Sequence, residues 1–180
     1  MTTIAIVAIV IALLIAALLV YAASKPDSFS VQRSTAINAP QEKIFPHLND
    51  LHAHQAWSPF EKDPAMKRTH SGAPAGKGAV YEWEGNREVG KGRIAITESV
   101  PSSRLVLALD MLKPFQAHNT VEYTLEPKGN ATNLTWAMYG RQPFMAKLMS
   151  TFINCDKMVG SQFEKGLASL KAIVEKPAGS

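Results

Sequence analysis

"AHNTVEYTLEPKGNATNLTWAMYG", Ala117 to Gly140, is the stretch whose reading decides the fold. Val121, Tyr123 and Leu125 alternate with polar neighbours, and Leu134, Trp136 and Met138 resume the alternation after Lys128-Gly129-Asn130. A period of two sends one set of side chains to one face of a strand. The short Gly-Asn connection joins antiparallel neighbours. The stretch therefore predicts a β-hairpin with one apolar face.

The same period extends towards the N-terminus. "AVYEWEG" (Ala79–Gly85), "KGRIAITESV" (Lys91–Val100) and "SRLVLALDML" (Ser103–Leu112) alternate in the same way, and the weaker run "MKRTHSG" (Met66–Gly72) precedes them. Gly85-Asn86, Pro101-Ser102-Ser103 and Lys113-Pro114 supply the turns. About six strands in one curled antiparallel meander follow from these short connections. Upstream, "FSVQRSTAI" (Phe29–Ile37) reads as a further strand. "NAPQEKIFPHLND" offers Asn38 as a cap, Pro40 near the first helical position, and Ile44 and Leu48 on one face. Pro46 shortens or breaks that helix. "LHAHQAW" (Leu51–Trp57) reads as a second short helix.

Beyond Pro143 the period changes. Phe144, Leu148, Phe152, Cys155, Val159, Phe163, Leu167, Leu170 and Val174 recur every three or four residues, predicting one amphipathic helix of roughly 45 Å. Gly160 and Gly166 lie inside it, each costing up to about 1 kcal/mol against alanine, so a close approach is expected at both. An apolar helical face must be buried, and the concave side of the sheet is the surface available. The expected class is α+β: strand, two short helices, about six strands, then a long C-terminal helix gripped by the sheet.

Ile4 to Ala23 reads IAIVAIVIALLIAALLVYAA, without a charge. A helix of that length rises about 30 Å, the hydrocarbon thickness of a bilayer. Tyr21 sits at the interface position and Lys25-Pro26 closes the run. A cleaved signal peptide is the alternative, but "MTT" lacks a basic n-region and the apolar run is longer than such peptides carry. The expected organisation is an anchor over residues 1–24, a hinge over 25–28, the domain over 29–176 and a tail over 177–180. Lys25 and Arg33 follow the span while only the terminal amine precedes it, which leans towards a cytoplasmic domain.

The 180 residues carry a formal charge of +4, from scattered lysines and arginines with no arginine-aromatic interleave, so no nucleic-acid partner is expected. The single cysteine, Cys155, excludes an internal disulfide. His52 and His54 diverge by about 200° on a helix, and His47 and His54 share a face but lie about 10 Å apart along it. No metal site and no cofactor follow from these spacings. The oligomeric state is not legible.

The order of elements resembles the helix-grip fold of START domains, birch-pollen-allergen-like proteins and the polyketide cyclase/dehydrase group, the superfamily often called SRPBCC. The resemblance covers Phe29 to Glu175 and rests on "WSPFEKDP" (Trp57–Pro64), "GKGAVYEWEGN" with "GKGRIAITESVP", and "QFEKGLASLK" (Gln162–Lys171). It implies an apolar ligand between sheet and helix, and it brings no universal catalytic residue to any position here.

In "YEWEG" the rings of Tyr81 and Trp83 share one face and the carboxylates of Glu82 and Glu84 the other. Burying two unpartnered acids is costly, whereas two wet rings forgo a large apolar burial, so rings inward and acids outward is expected. The inward set then includes Leu107, Leu109 and Met111, Val121 and Tyr123, and Trp136 and Met138. Met149 and Phe152 are expected to face them from the helix, and His54 and Trp57 to frame the mouth. Two arrangements stay open for this set: a solid core under the helix, or a cavity to which methionines lend adaptable walls. Arg93 is a surface cation if Ile94 and Ile96 point inward, or a polar cavity group if the strand bulges near Gly90 or Gly92.

The functional expectation is a membrane-anchored binding or carrier protein for a small hydrophobic ligand of the lipid, isoprenoid or quinone class. Two rivals belong to other classes. One is a cyclase- or dehydratase-like enzyme using Tyr81, Tyr123 or His54 as proton carriers. The other is a cochaperone-like interaction module with a collapsed cavity.

Overall fold

The computed structural model describes Thr2–Lys176; the expected tail at 177–180 lies outside the described residues. Seven strands run β1 (Ser28–Ile37), β2 (Lys67–Gly72), β3 (Ala79–Glu84), β4 (Lys91–Val100), β5 (Arg104–Lys113), β6 (Ala117–Lys128) and β7 (Ala131–Arg141). The sheet order is β1-β7-β6-β5-β4-β3-β2. Every consecutive pair from β2 to β7 is antiparallel, and β1 reaches β7 through the one long crossover. The opening hairpin pairs Tyr123 with Trp136 and Leu125 with Leu134, the register that its alternation requires.

The contacts divide the chain into two units: residues up to Phe29 with Arg141–Cys155, and Ser30–Gly140 with the residues from Asp156 on. In the larger unit, α2 (Gln41–Asn49) buries Ile44, Phe45 and Leu48. Its N-cap is Pro40 rather than Asn38, and it runs through Pro46 because that ring still leaves its carbonyl to accept from Asp50 N at 3.1 Å. A single 3₁₀ turn at Ala53–Ala56 is all that forms of the second short helix.

The C-terminal helix is shorter than its apolar period suggests. A short helix α3 (Phe144–Met149) ends, and α4 (Cys155–Val174) begins afresh. The Ser150 and Thr151 hydroxyls turn back onto the carbonyls of Lys147 and Leu148 at 2.8 and 2.6 Å, supplying partners that a continued helix would have supplied. Within its unit, α4 buries Phe163, Leu167, Leu170 and Val174. Its polar side is pinned to β1: Arg33 donates to Asp156 and Glu164, and Lys171 Nζ donates to the Ala36 carbonyl at 2.7 Å. Both expected close approaches exist. A Cβ at Gly160 would meet the Arg33 guanidinium at 2.0 Å, and one at Gly166 would meet the Trp136 ring at 2.7 Å.

The smaller unit contains α1 (Thr2–Ser24) and α3. The helix α1 is long and apolar enough to cross a membrane, a property it shares with signal sequences.

Candidate functional site: a cavity under the terminal helix

Between the inner face of the sheet and the start of α4 lies a cavity of about 320 Å³, within the larger unit. That volume is at the lower end of the range small-molecule sites occupy. Strand parity builds its wall. Tyr81 and Trp83 of β3, Leu109 and Met111 of β5, Val121 and Tyr123 of β6, and Trp136 and Met138 of β7 all line it, as the alternation predicts. On β3 the acids do point away: Glu82 and Glu84 are exposed, and Glu84 pairs with Lys91 at 2.8 Å. Gly92 lies opposite Trp83 in the register. A Cβ there would stand 2.4 Å from the indole, so glycine is what lets the ring lie across β4.

Five expected members fall elsewhere. Leu107 is fully buried but belongs to the packed core, nearer the start of β5 than the cavity wall. Trp57 is buried behind the wall, with its ring 5.6 Å from that of Trp136 and its Nε1 donating to the His47 carbonyl. Met149 and Phe152 are not on the gripped helix; they belong to the smaller unit and are exposed, because the chain breaks between α3 and α4. Arg93 faces outward and lies 3.7 Å from Asp110, since its neighbour Ile94 takes the inward position.

The polar groups on the wall differ in what already holds them. Tyr81 donates its hydroxyl to Glu61 at 2.6 Å, and Glu61 also accepts from Arg68 at 2.8 Å. Burial first, and then the Glu61 carboxylate, push the Tyr81 phenol up, so its proton stays in place at any physiological pH. His54 is buried and its Nε2 lies 2.9 Å from the Leu48 carbonyl. A carbonyl can only accept, so Nε2 carries the proton and Nδ1 is bare. Desolvation holds the His54 pKa below its usual value, keeping the ring neutral.

Tyr123 is different. It is 2% exposed, it lines the cavity, and its hydroxyl has no hydrogen-bond partner among the described residues. Burial alone pushes its phenol up, so it remains a donor. Asn119, two positions before Val121 on the same face, is a further polar group on this wall. Trp136 Nε1 is buried without a partner among the described residues, in a nest formed by the rings of Trp57, Phe60, Tyr123 and Phe163.

The sequence carried signals for some of what was missed. Asn119 has the parity of Val121 and Tyr123, and a polar residue at an inward strand position is itself a mark of a site. Glu61, Phe60 and Met66 line the cavity from an irregular segment without a period, where no pattern could announce them. Among the described residues no three His, Cys, Asp or Glu side chains group as metal ligands.

The family described as "Polyketide cyclase / dehydrase and lipid transport" matches residues 28–175. The chain belongs to this polyketide cyclase/dehydrase and lipid-transport family. Its architecture is similar to CV1439 from Chromobacterium violaceum, with 18% identity, a TM-score of 0.59, and coverage of 85% of this chain and 100% of that one. CalU16 from Micromonospora echinospora aligns at 16% identity and a TM-score of 0.57, over 84% of this chain and 78% of that one. The solution structure of the Aha1 dimer from Colwellia psychrerythraea aligns at 17% identity and a TM-score of 0.55, over 84% and 99%. At such identities the likeness is one of fold. No curated protein sequence matches this chain.

Proposed function

We propose that this family member is a membrane-anchored binding or carrier protein for a small hydrophobic ligand of the lipid, isoprenoid or quinone class. The observation that carries the reading is the cavity of about 320 Å³, walled by strand side chains that are almost all apolar. The Tyr123 hydroxyl narrows the ligand. The hydroxyl lies on the cavity wall with no partner among the described residues, so it is free to donate to a neutral oxygen on the ligand. A quinone, ketone, ester or alcohol fits; a pure hydrocarbon does not. α1 serves as the anchor, concentrating the cavity beside molecules dissolved in the bilayer. Lys25 and Arg33 on its C-terminal side favour a cytoplasmic domain.

One observation favours the acid–base enzyme reading: neutral His54, on the cavity wall with a bare Nδ1, has the protonation state of a general base. Against it, Tyr81 is already committed to Glu61, and Tyr123 is a poor acid at any physiological pH. The cochaperone-like reading required a collapsed cavity, which the volume counts against.

The test is native mass spectrometry of the full-length protein released from membranes. A bound oxygen-bearing hydrophobic molecule is expected, and it should be lost in Leu109→Trp, which fills the cavity from β5. Wild-type protein that emerges free of ligand, or an adduct indifferent to Leu109→Trp, would overturn the proposal.

A further inference from the structure

The helix α3 is built inside out. Its buried side chain is Lys147, while Phe144, Met145 and Met149 stand exposed, Met145 by 65%. The chain continues in the same manner: Phe152 is 74% exposed and Ile153 is exposed beside it. A helix facing water carries the reverse pattern, with charge outward and apolar residues inward. A contiguous run of exposed large apolar side chains marks a surface that meets something other than water.

Polar contacts within the smaller unit hold this surface where it is. Lys147 Nζ donates to the Asp27 carboxylate, Lys25 Nζ donates to Ser150 Oγ at 3.0 Å, and Gln142 N donates to the Asp27 carbonyl at 2.7 Å. The latches fall on the residues that immediately follow α1, and α3 packs on α1 itself. Ala22, in the last turn, is the one buried residue of α1 among those described, while the rest of its apolar surface is open or nearly so. Tyr21 is exposed there with the Lys25 ammonium 5.3 Å from its ring centre, the pairing of an aromatic and a cation usual at a headgroup boundary. The inside-out helix thus stands at the level where α1 would leave the hydrocarbon.

Resting on the reading of α1 as a bilayer span, we infer that residues 144–153 form a second membrane contact, a wedge that seats Phe144, Met145, Met149 and Phe152 at the acyl–headgroup boundary of the same bilayer. Lipid is the occupant because the wedge continues the apolar surface of α1 and is latched to its end. The inverted burial of Lys147 follows from the same cause: turned away from the acyl chains, the ammonium keeps a carboxylate partner. A lone span rotates freely about its axis. A second contact beside it fixes which side of the unit meets lipid.

The experiment uses full-length protein in vesicles of phosphatidylcholine and phosphatidylglycerol. Single nitroxide labels are placed at Met145→Cys, Met149→Cys, Ile11→Cys and Lys128→Cys in a Cys155→Ser background, with tryptophan fluorescence as the check on folding. Power-saturation spectroscopy compares collisions with oxygen, which enriches in lipid, and with a water-soluble nickel chelate. Labels at 145 and 149 are expected to follow the label at 11, favouring oxygen severalfold, while the label at 128 in the exposed β6–β7 turn favours nickel. If 145 and 149 behave like 128 while 11 remains in lipid, the anchor stands and the wedge is overturned. Labels at 145 and 149 shielded from both reagents point to a protein neighbour and overturn it as well. If 11 also favours nickel, the span and the wedge both fall.

Discussion

Replacing Tyr123 by phenylalanine removes one oxygen atom from the cavity wall, and the structure separates its effect on stability from its effect on binding. The ring is buried, but the hydroxyl faces the cavity and makes no bond to the described residues that the substitution could break. Burying an unsatisfied hydroxyl costs about 1–3 kcal/mol on the scale of protein substitutions. Because the hydroxyl faces a cavity with room for water rather than packed hydrocarbon, little of that cost applies, and Tyr123→Phe should change the stability of the ligand-free protein by less than about 1 kcal/mol. For a domain of this size that keeps the midpoint of thermal unfolding within about 2–4 °C of the wild-type value. Trp57, Trp83 and Trp136 all lie in the cavity-bearing unit, so their fluorescence reports the transition in nanodiscs. Binding should respond more strongly. Undecan-2-one should lose about fivefold in affinity, the worth of one ordinary hydrogen bond, while undecane is unaffected. A midpoint lowered by more than this in Tyr123→Phe would mean that the hydroxyl is bonded to the protein in its resting state and is not available to a ligand, which would refute its role. Equal loss of ketone and hydrocarbon would refute the anchoring role alone.

Leu105 and Leu109 share a face of β5, yet the first is fully buried and the second borders the cavity. Leu105→Ala should therefore cost about 2–5 kcal/mol and Leu109→Ala only about 1 kcal/mol in urea unfolding; equal costs would argue against a cavity at that end. Gly166→Ala should destabilise by about 1 kcal/mol despite its better helix propensity, because its Cβ would stand 2.7 Å from the Trp136 ring and 2.8 Å from Pro59, and a net gain would disprove that contact. Burial holds the His54 pKa below its ordinary 6.5, and His70 shifts in the same direction for the same reason. Below that pH the unfolded chain binds protons that the folded chain refuses, so stability should fall as pH drops through about 6.5 towards 5. His54→Gln, whose amide can still donate to Leu48, should flatten that slope in unfolding curves taken across the range; an unchanged slope would remove His54 from the account.

What the sequence determines here is whatever has a short period. Alternation from Ala79 to Gly140 sets each strand and its inward face, because a residue two positions away lies on the same side of a pleated chain whatever the rest of the molecule does. The outward Glu82 and Glu84 and the apolar wall positions of β3, β5, β6 and β7 were legible for that reason, and α1 was legible from its unbroken apolar run. The same method misled between Leu148 and Cys155, where apolar spacing continues across a point at which Ser150 and Thr151 turn back on the backbone and end the helix. Periodicity records which side a residue would take if the helix ran on, and it is silent on whether the helix does. Tertiary structure alone decided that Leu107 and Trp57 pack solidly while Leu109 and Tyr123 border open volume, since a void is set by the distance between elements remote in sequence. It alone committed Tyr81 to Glu61 and left Tyr123 without a partner, although both are tyrosines on inward strand positions. Hydrogen-bond supply comes from whatever the folded chain brings alongside, and no local pattern encodes it.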